Sequence, residues 1–185
     1  MSFLKKRYIL IFIALAIIGG AGVISYGFLP MLKVEGEYVS YSGFLKVYRG
    51  VEAADRLAKK NPPATSQELT RRAFETIIDN KFLDVAVRKT NAGIKDEARK
   101  NVEQAVLESK DLSLEEAARK LYGLSAADFK KLVLIPAAEK DLLFKHYEYN
   151  TSELDALWDD LSQHGEVKIY YPGYEWRDGE VKIKD

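Results

Sequence analysis

The chain contains no cysteine, which excludes disulfides, thiolate metal sites and a lipid-modified N-terminal cysteine. Only two of its 185 residues are histidine, His146 and His164, and neither has a second histidine nearby in sequence. Each lies near the predicted end of a helix, where the helix dipole favours a cation. Asp159 and Asp160 would point about 100° apart on a helix, so we interpret them as part of a solvated face. We therefore expect no catalytic residues, no bound metal and no cofactor.

An excess of either charge is also absent, because 28 basic residues balance 28 acidic ones. Three of the basic residues lie within segment 1–7, so the chain beyond residue 32 has 25 basic and 28 acidic residues. No basic stripe or cluster favours nucleic acid as a partner. The 153 residues after position 32 are enough for one domain with a hydrophobic core.

One long apolar segment, Tyr8–Leu29, has no charged residue over 22 positions and follows Lys5, Lys6 and Arg7. About 20 such residues cross the ~30 Å hydrocarbon core of a bilayer as a helix. The preceding cations place the N-terminus inside. We therefore expect a short basic cytoplasmic segment (1–7), a single transmembrane helix (8–29) and an extracytoplasmic domain, in a bacterial inner or plasma membrane with lipid as a partner.

A cleaved signal peptide is the alternative interpretation of this segment. Ala14-Leu15-Ala16 has the small-x-small form of a cleavage site, but only six apolar residues precede it. Gly20-Ala21-Gly22 is better placed, yet apolar Val23 and Ile24 follow where a polar region is expected. The pattern therefore favours an uncleaved anchor.

Beyond the anchor, the pattern begins with a short strand pair over Lys33–Val39, folded at Glu35-Gly36. A helix capped by Ser40 or Ser42 follows and stops at Asn61-Pro62-Pro63; its apolar residues at helical spacing are Phe44, Tyr48, Val51 and Leu57-Ala58. The strongest helix is predicted from Ser66 to about Lys89. Its wide apolar face, which indicates burial against several neighbours, consists of Leu69, Ala73, Phe74, Ile77, Ile78, Phe82, Leu83, Val85, Ala86 and Val87.

Four further helices are predicted. The first covers roughly Asp96–Ser109, with Ala98, Val102, Ala105 and Val106 facing inward. The others begin at the caps Ser113 and Ser125 and at Thr151 or Ser152, the last ending at Gly165. Within the helix after Ser125 we expect a kink at Pro136, which has no N–H for the helical hydrogen bond.

The C-terminal segment 166–185 changes to the two-residue period of strands. Val167–Tyr171 is predicted to pair with the strand that contains Val34 or Tyr38-Val39. Asp178-Gly179 is the dipeptide that a two-residue hairpin favours. The expected fold is therefore mainly α, with a transmembrane helix, a multi-helix domain over 33–165 and a small β-sheet formed from the two ends of the soluble part.

The order of these elements resembles the N-terminal chaperone domain of the SurA/PpiD group of extracytoplasmic folding factors. The residues that carry the resemblance are Val34-x-Gly36-Glu37-x-Val39-Ser40, Phe44-Leu45, Arg71–Ile78, Leu114–Ala117, Leu121–Ser125 and Phe129-Lys130. Glu35 stands where that family often has asparagine. The family's parvulin-type prolyl isomerase needs about a hundred residues, and only 150–185 remain after the matching region. The resemblance thus implies a chaperone without the isomerase, so no enzyme is expected.

With 21 aromatic residues, 11 of them tyrosine, the chain can form an apolar surface with polar tips. We expect a peptide-binding groove formed by Tyr41, Phe44, Tyr48, Phe74, Tyr122, Phe129 and Leu132. Unfolded or exported polypeptides are then the expected partners. One alternative is that Tyr48, Tyr122, Tyr147 and the tyrosines of the tail fill the rim of the core. Another is that the groove holds one fixed envelope partner as an assembly subunit. A prolyl isomerase is a third, less favoured, function.

Overall fold

The computed structural model describes residues 27–59, 62–109 and 113–184. Within them the chain is mainly helical with small antiparallel sheets, as predicted. The elements in order are β1 (Pro30–Val34), β2 (Glu37–Ser40), α1 (Tyr41–Leu57), α2 (Ser66–Thr90), α3 (Gly93–Glu108), α4 (Leu114–Tyr122), α5 (Ala126–Phe129), a π-helical turn (Lys130–Leu134), α6 (Ile135–His146), α7 (Thr151–His164), β3 (Val167–Ile169), β4 (Tyr174–Arg177) and β5 (Glu180–Ile183).

The predicted cytoplasmic segment 1–7 and all but the last three residues of the predicted membrane helix 8–29 lie outside the described residues. Among the helices between Gly27 and Lys184 that are described, none is both long enough and apolar enough to cross a membrane.

A three-stranded antiparallel sheet joins the two ends of this domain, in the order β2-β1-β3. The predicted turn between β1 and β2 is confirmed, with positive φ angles of 48° at Glu35 and 82° at Gly36. The predicted pairing of the tail with the first strand is also confirmed, since Val167 lies opposite Val34 and Ile169 opposite Leu32. The tail does not pair with β2, and its strand ends at Ile169 rather than at Tyr171.

The second hairpin, β4–β5, forms a separate two-stranded sheet, so the expectation of a single small sheet was incomplete. Its two-residue turn is the predicted one, with φ of 57° at Asp178 and 78° at Gly179. Tyr174 and Val181 point from this hairpin into the main core. The hairpin therefore covers α2 instead of extending the first sheet.

Helix α2 is the centre of the main core, and all ten residues of its predicted apolar face are buried. Strand β1 adds Leu32 and Val34, both fully buried, and α1 adds Phe44 and Val47. A helix that is buried on such a wide face needs several neighbours. Here they are α1, α6, α7, β1 and the β5 strand.

Three predicted inward positions are wrong. Leu57 and Ala58, at the end of α1, are both exposed. In α3, Ala98 and Val102 are buried as predicted, but Ala105 is exposed. Helix α3 begins at Gly93, three residues before its predicted start, and the earlier start buries Ile94 instead. Its buried contacts therefore come from its first three turns.

The irregularity predicted at Pro136 takes the form of a π-helical turn immediately before it. The N–H of Ile135 donates to the carbonyl of Lys130, five residues earlier. Pro136 lies directly after this turn, at the start of α6, and has no N–H to donate to the preceding helical carbonyls. The chain nevertheless remains helical from Ala126 to His146.

Gly165, directly after α7, lies against the ring of Phe82. A Cβ added at this glycine would clash with the carbonyl oxygen of Leu161 and lie 2.7 Å from the Cε1 of Phe82. We therefore expect Gly165→Ala to lower the free energy of unfolding by about 1–3 kcal/mol, the usual cost of overpacking a core. Thermal unfolding measures this. Gly43→Ala in α1 is the control, because its Cβ would meet its nearest neighbour, a Val39 methyl, at 3.4 Å; equal melting temperatures for the two variants would contradict the prediction.

Candidate functional site

The seven residues predicted to form one groove lie in two different places. Phe44 and Phe74 are 4% and 0% exposed, with ring centroids 4.8 Å apart in the main core. The tail explains this, since Tyr171 and Tyr174 lie over Phe74 with centroids 6.1 and 5.5 Å away. Phe44 and Phe74 therefore cannot line an open groove. Tyr41 and Tyr48 are half-buried at the edge of the same core, as the alternative interpretation expected for Tyr48.

Tyr122 and Phe129 belong to a second, smaller hydrophobic cluster. Its buried members are Ala118, Leu124 and Phe129, and Tyr122 stacks at a tilt on Phe129 with centroids 4.6 Å apart. Leu132, on the π-helical turn, packs against the main core. These three residues therefore mark the junction between the two clusters.

An apolar pocket of about 150 Å³ opens at this junction, and we call it the junction pocket. It lies between α1, α2, the end of α4 and the π-helical turn. Its lining residues are Val47, Gly50, Val51, Ala54, Thr76, Tyr122, Leu124, Leu132 and Val133. Only Tyr122 and Leu132 of the predicted groove residues are among them.

Sequence reasoning missed the α1 side of the pocket, although a signal for it exists. Val47, Gly50, Val51 and Ala54 recur at helical spacing, and two of the four are small. Small side chains on a helix face leave room for a neighbour or a ligand. The Cδ1 of Leu124 lies 3.7 Å from where a Cβ on Gly50 would be, so the glycine faces the second cluster directly.

The second cluster is held together by helix caps. The Ser113 hydroxyl accepts from the N–H of Glu116 at 3.2 Å, and the Ser125 hydroxyl accepts from the N–H of Asp128 at 3.1 Å. Between these caps Gly123 ends α4 with a φ of 64°. Both predicted N-caps are thus confirmed, and the Glu116 side chain forms an ion pair with Lys120.

An ion pair attaches this cluster to α1. The Nζ of Lys46 lies 2.7 Å from the Oδ1 of Asp128. The hydrogen bond from Lys46 lowers the pKa of Asp128, with help from the Ser125 hydroxyl. The pair is half exposed, so it positions the cluster more than it stabilises the fold.

The π-helical turn supplies the fourth side of the pocket, through Leu132 and Val133. A π turn inserts one extra residue into a helical turn and is found frequently at functional sites. It redirects the side chains that follow it relative to a regular helix. Here it coincides with the residues that close the junction pocket.

A polar cleft of about 400 Å³ adjoins the pocket and shares Val51, Ala54 and Thr76 with it. We call it the acidic cleft, because three carboxylates and one guanidinium line it. The carboxylates are those of Asp55, Glu75 and Asp79, and the guanidinium is that of Arg72. Asp55 is 9% exposed and pairs with Arg72 at 3.0 Å. Partial burial raises the pKa of Glu75, which its pairing with Arg71 opposes.

A third hollow, of about 230 Å³, adjoins the pocket on the other side and shares Leu132. We call it the basic hollow. Its charged lining consists of the cations Lys81, Lys95, Arg99 and Lys131 and the carboxylates Asp84 and Glu139. Lys95 pairs with Asp84 at 2.5 Å, Lys81 pairs with Glu37 and Arg99 pairs with Asp96, so Lys131 is the lining cation that makes no ion pair with the other described residues. The junction pocket is therefore apolar, and the residues that line the depressions on its two sides carry formal charges of opposite sign.

Glu139 is the buried carboxylate of the basic hollow, and only 4% of the residue is exposed. It makes no hydrogen bond or ion pair within the described part of the chain. Burial raises its pKa above the ordinary value of 4.5, with a further contribution from the nearby Asp84 charge. The ionised form is thus disfavoured in the folded state.

Because the folded-state pKa of Glu139 lies above the unfolded one, its contribution to stability is present below pH 4.5 and is lost as pH rises through the folded pKa. We expect Glu139→Gln to raise the free energy of unfolding at pH 7 by about 1 kcal/mol, since an amide costs less to bury than an ionised carboxylate. Urea unfolding at several pH values measures this. The gain should vanish in acid, and Glu103→Gln, at an exposed position of α3, should show no gain; a gain independent of pH would contradict the assignment.

Four of the residues that carry the family resemblance, Val34, Gly36, Glu37 and Ser40, support the hairpin, whereas Thr76, Tyr122 and Leu124 line the pocket. Val34 is fully buried, Gly36 forms the turn, and the Ser40 hydroxyl accepts from the N–H of Gly43 at 3.3 Å to cap α1. Glu37 pairs with Lys81 and Arg88 of α2, and the hydrogen bond from Lys81 lowers the pKa of Glu37. These residues therefore hold β2 against α2.

The polar residues considered for chemistry do not converge. Asp159 and Asp160 are exposed, and the Oδ1 of Asp160 lies 3.1 Å from the Nδ1 of His164. The edge of the His146 ring faces Tyr147, with centroids 5.6 Å apart. Within the ranges 27–59, 62–109 and 113–184 no three potential metal-ligand side chains come together.

No family model matches this chain, and no curated protein or solved structure matches it significantly. The resemblance to the SurA/PpiD group accordingly stays a prediction.

Proposed function

We propose that this chain is a membrane-anchored extracytoplasmic holdase that binds unfolded or exported polypeptide segments in the junction pocket without catalysis. The observation that carries the proposal is the apolar pocket with an acidic cleft on one side and a basic hollow on the other. Exposed apolar concavities with a polar rim are typical of protein-binding surfaces.

An extended segment suits this arrangement better than a compact ligand does. The three depressions are contiguous, because the pocket shares residues with both of its neighbours. One large apolar side chain of the segment would enter the pocket, while its backbone and flanking residues remain in the polar depressions. Segments with a cation on the side of the acidic cleft and an anion on the other would bind best.

The two-cluster construction supports binding of many different segments. One wall of the pocket belongs to the main core, and another belongs to the small cluster around Phe129. The small cluster has no buried residue in common with the main core, so it can shift with less loss of core packing than an element of the main core. Tyr122 adds a large apolar ring with a polar tip, which suits adaptable recognition.

The anchor and the location are part of the same proposal. The uncharged segment Tyr8–Leu29 behind Lys5, Lys6 and Arg7 is the sequence feature that supports a single membrane crossing with the domain outside. The resemblance of the helical domain to the SurA/PpiD group supports the chaperone role. The proposed partners are then lipid and unfolded chains, and nucleic acid is not among them.

Filling the pocket tests the proposed function. Gly50→Leu should place its side chain between α1 and Leu124, and it replaces a poor helix former by a good one, so α1 should remain folded. We expect the full-length protein in lipid nanodiscs to slow the aggregation of an unfolded client at stoichiometric amounts. Gly50→Leu should weaken this effect several-fold. Glu103→Leu, which adds the same side chain to an exposed helical position outside the pocket, should leave it unchanged.

If the unmodified protein has no effect on several unrelated clients, the holdase proposal is wrong. A pull-down from the native membrane then distinguishes the alternative of an assembly subunit, which predicts one dominant partner. Many weakly bound exported chains instead support the holdase. We also expect no acceleration of cis/trans exchange in an X-Pro peptide.

A further inference from the structure

The outer face of the three-stranded sheet carries an exposed aromatic and cationic patch. Tyr38 on β2 is 65% exposed, and Tyr170, just after β3, is 38% exposed. Their rings stack with centroids 6.3 Å apart across β1. Lys33 lies opposite Tyr38 on one side and opposite Lys168 on the other, and the Nζ of Lys168 lies 5.4 Å from the centroid of Tyr170. We call these four residues the sheet patch.

The sheet has two chemically different ends. At one end Pro30 lies opposite Ser40, the Tyr170 N–H donates to the carbonyl of Met31, and the exposed side chains of Phe28 and Leu29 precede β1. At the other end lie the turn of Glu35 and the exposed Glu166. The polarity of the sheet therefore changes from aromatic to acidic along β1.

The predicted membrane segment leads directly into the aromatic end of this sheet. Tyr8–Leu29 ends one residue before β1 begins. A strand rises about 3.3 Å per residue, so Pro30, where β1 begins, lies roughly 3 Å along the chain from Leu29. Lys33 lies roughly 13 Å from Leu29 by the same measure. The headgroup layer of a bilayer is about 5–8 Å thick on each side, so Pro30 lies within it, and Lys33 with its neighbours Tyr38 and Lys168 lies within it when β1 runs along the membrane surface.

We propose that the sheet patch lies against the headgroup region of the bilayer that the anchor enters, and that it fixes the orientation of the domain on the membrane. The inference rests on the proposed anchor. Tyrosine rings favour the membrane interface because their body is apolar and their tip polar. Lys168 faces phosphate groups, since it makes no ion pair with the other described residues, whereas Lys33 pairs with Glu166 at 2.7 Å. With the patch on the lipid, the domain cannot tumble freely on its tether.

The absence of cysteine allows a direct test. In the full-length protein, Lys168→Cys places one label in the sheet patch, and Glu103→Cys places one on exposed α3. Both proteins are reconstituted into nanodiscs of zwitterionic and anionic phospholipid, with and without a nitroxide on the lipid headgroup. We expect several-fold stronger quenching at position 168 than at 103. Adding Tyr38→Ser and Tyr170→Ser should remove much of that difference, whereas Tyr149→Ser, another exposed tyrosine, should not.

Each outcome decides a different point. Equal quenching at both positions in protein that co-purifies with the nanodiscs overturns the sheet patch and leaves the anchor intact. Undiminished quenching in the Tyr38→Ser and Tyr170→Ser protein shows that the tether alone holds position 168 near the lipid, which also overturns the proposal. Protein that does not co-purify with nanodiscs overturns the anchor itself, and with it the location in the proposed function.

Discussion

A chain that ends after Gly165 is expected to lose cooperative folding. The deletion removes β3, which pairs with β1, and the β4–β5 hairpin, which covers α2. Tyr174 and Val181 are 6% and 2% exposed in the main core, and Trp176 lies edge-on to Phe82 with centroids 5.9 Å apart. Each fully buried apolar side chain contributes about 1.5–3 kcal/mol. Their joint loss, about 5 kcal/mol or more, approaches the 5–15 kcal/mol stability of a typical domain.

Thermal unfolding of fragment 27–165 beside fragment 27–185 measures this loss. Fragment 27–171 is the informative intermediate, because it keeps β3 and lacks only the hairpin. We expect it to melt between the other two, if 27–165 melts cooperatively at all. Equal melting temperatures for 27–165 and 27–185 would show that the tail is an appendage and that the domain closes without it.

Phe74→Ala is expected to cost about 3–5 kcal/mol in the free energy of unfolding, as for other large buried aromatic residues. Phe74 has no exposed surface, and Phe44, Tyr171 and Tyr174 surround its ring. Truncation therefore leaves a cavity at the meeting point of α1, α2 and the tail. Chemical denaturation at neutral pH measures the change.

The control for Phe74→Ala is Leu107→Ala on α3, where the leucine is 79% exposed and the change should stay within about 0.5 kcal/mol. The two variants also separate a core role from a binding role. If Phe74→Ala leaves the stability unchanged and abolishes client binding, the result would support the predicted groove and contradict the buried position of Phe74.

The helices could be predicted from sequence because each has local signals for its ends and its buried face. Ser40, Ser113 and Ser125 accept the expected capping hydrogen bonds. The apolar spacing of α2 identifies its buried residues because most of its circumference is covered. Where only part of a helix is covered, as at Leu57 and Ala105, periodicity alone does not show where the contact ends.

The candidate site was less predictable because it forms between elements that are distant in sequence. Phe44 and Phe74 have the aromatic character of binding residues, but Tyr171 and Tyr174 of the tail cover their rings in the folded domain. The junction pocket depends on an absent side chain, at Gly50, and on a π-helical turn, which no spacing rule specifies. Of the predicted groove residues, Tyr122 and Leu132 line the junction pocket, but they were selected for their aromatic or apolar character and not from the geometry.

The most direct test of binding in the junction pocket is the methyl spectrum of the full-length protein with a spin-labelled apolar peptide. The account predicts that the methyl signals of Val51, Leu124, Leu132 and Val133 broaden strongly, and that those of Leu107 and Val181, which lie outside the pocket, remain sharp. Strong broadening at Leu107 with none at the pocket methyls, or no broadening anywhere while the peptide is bound, would contradict it.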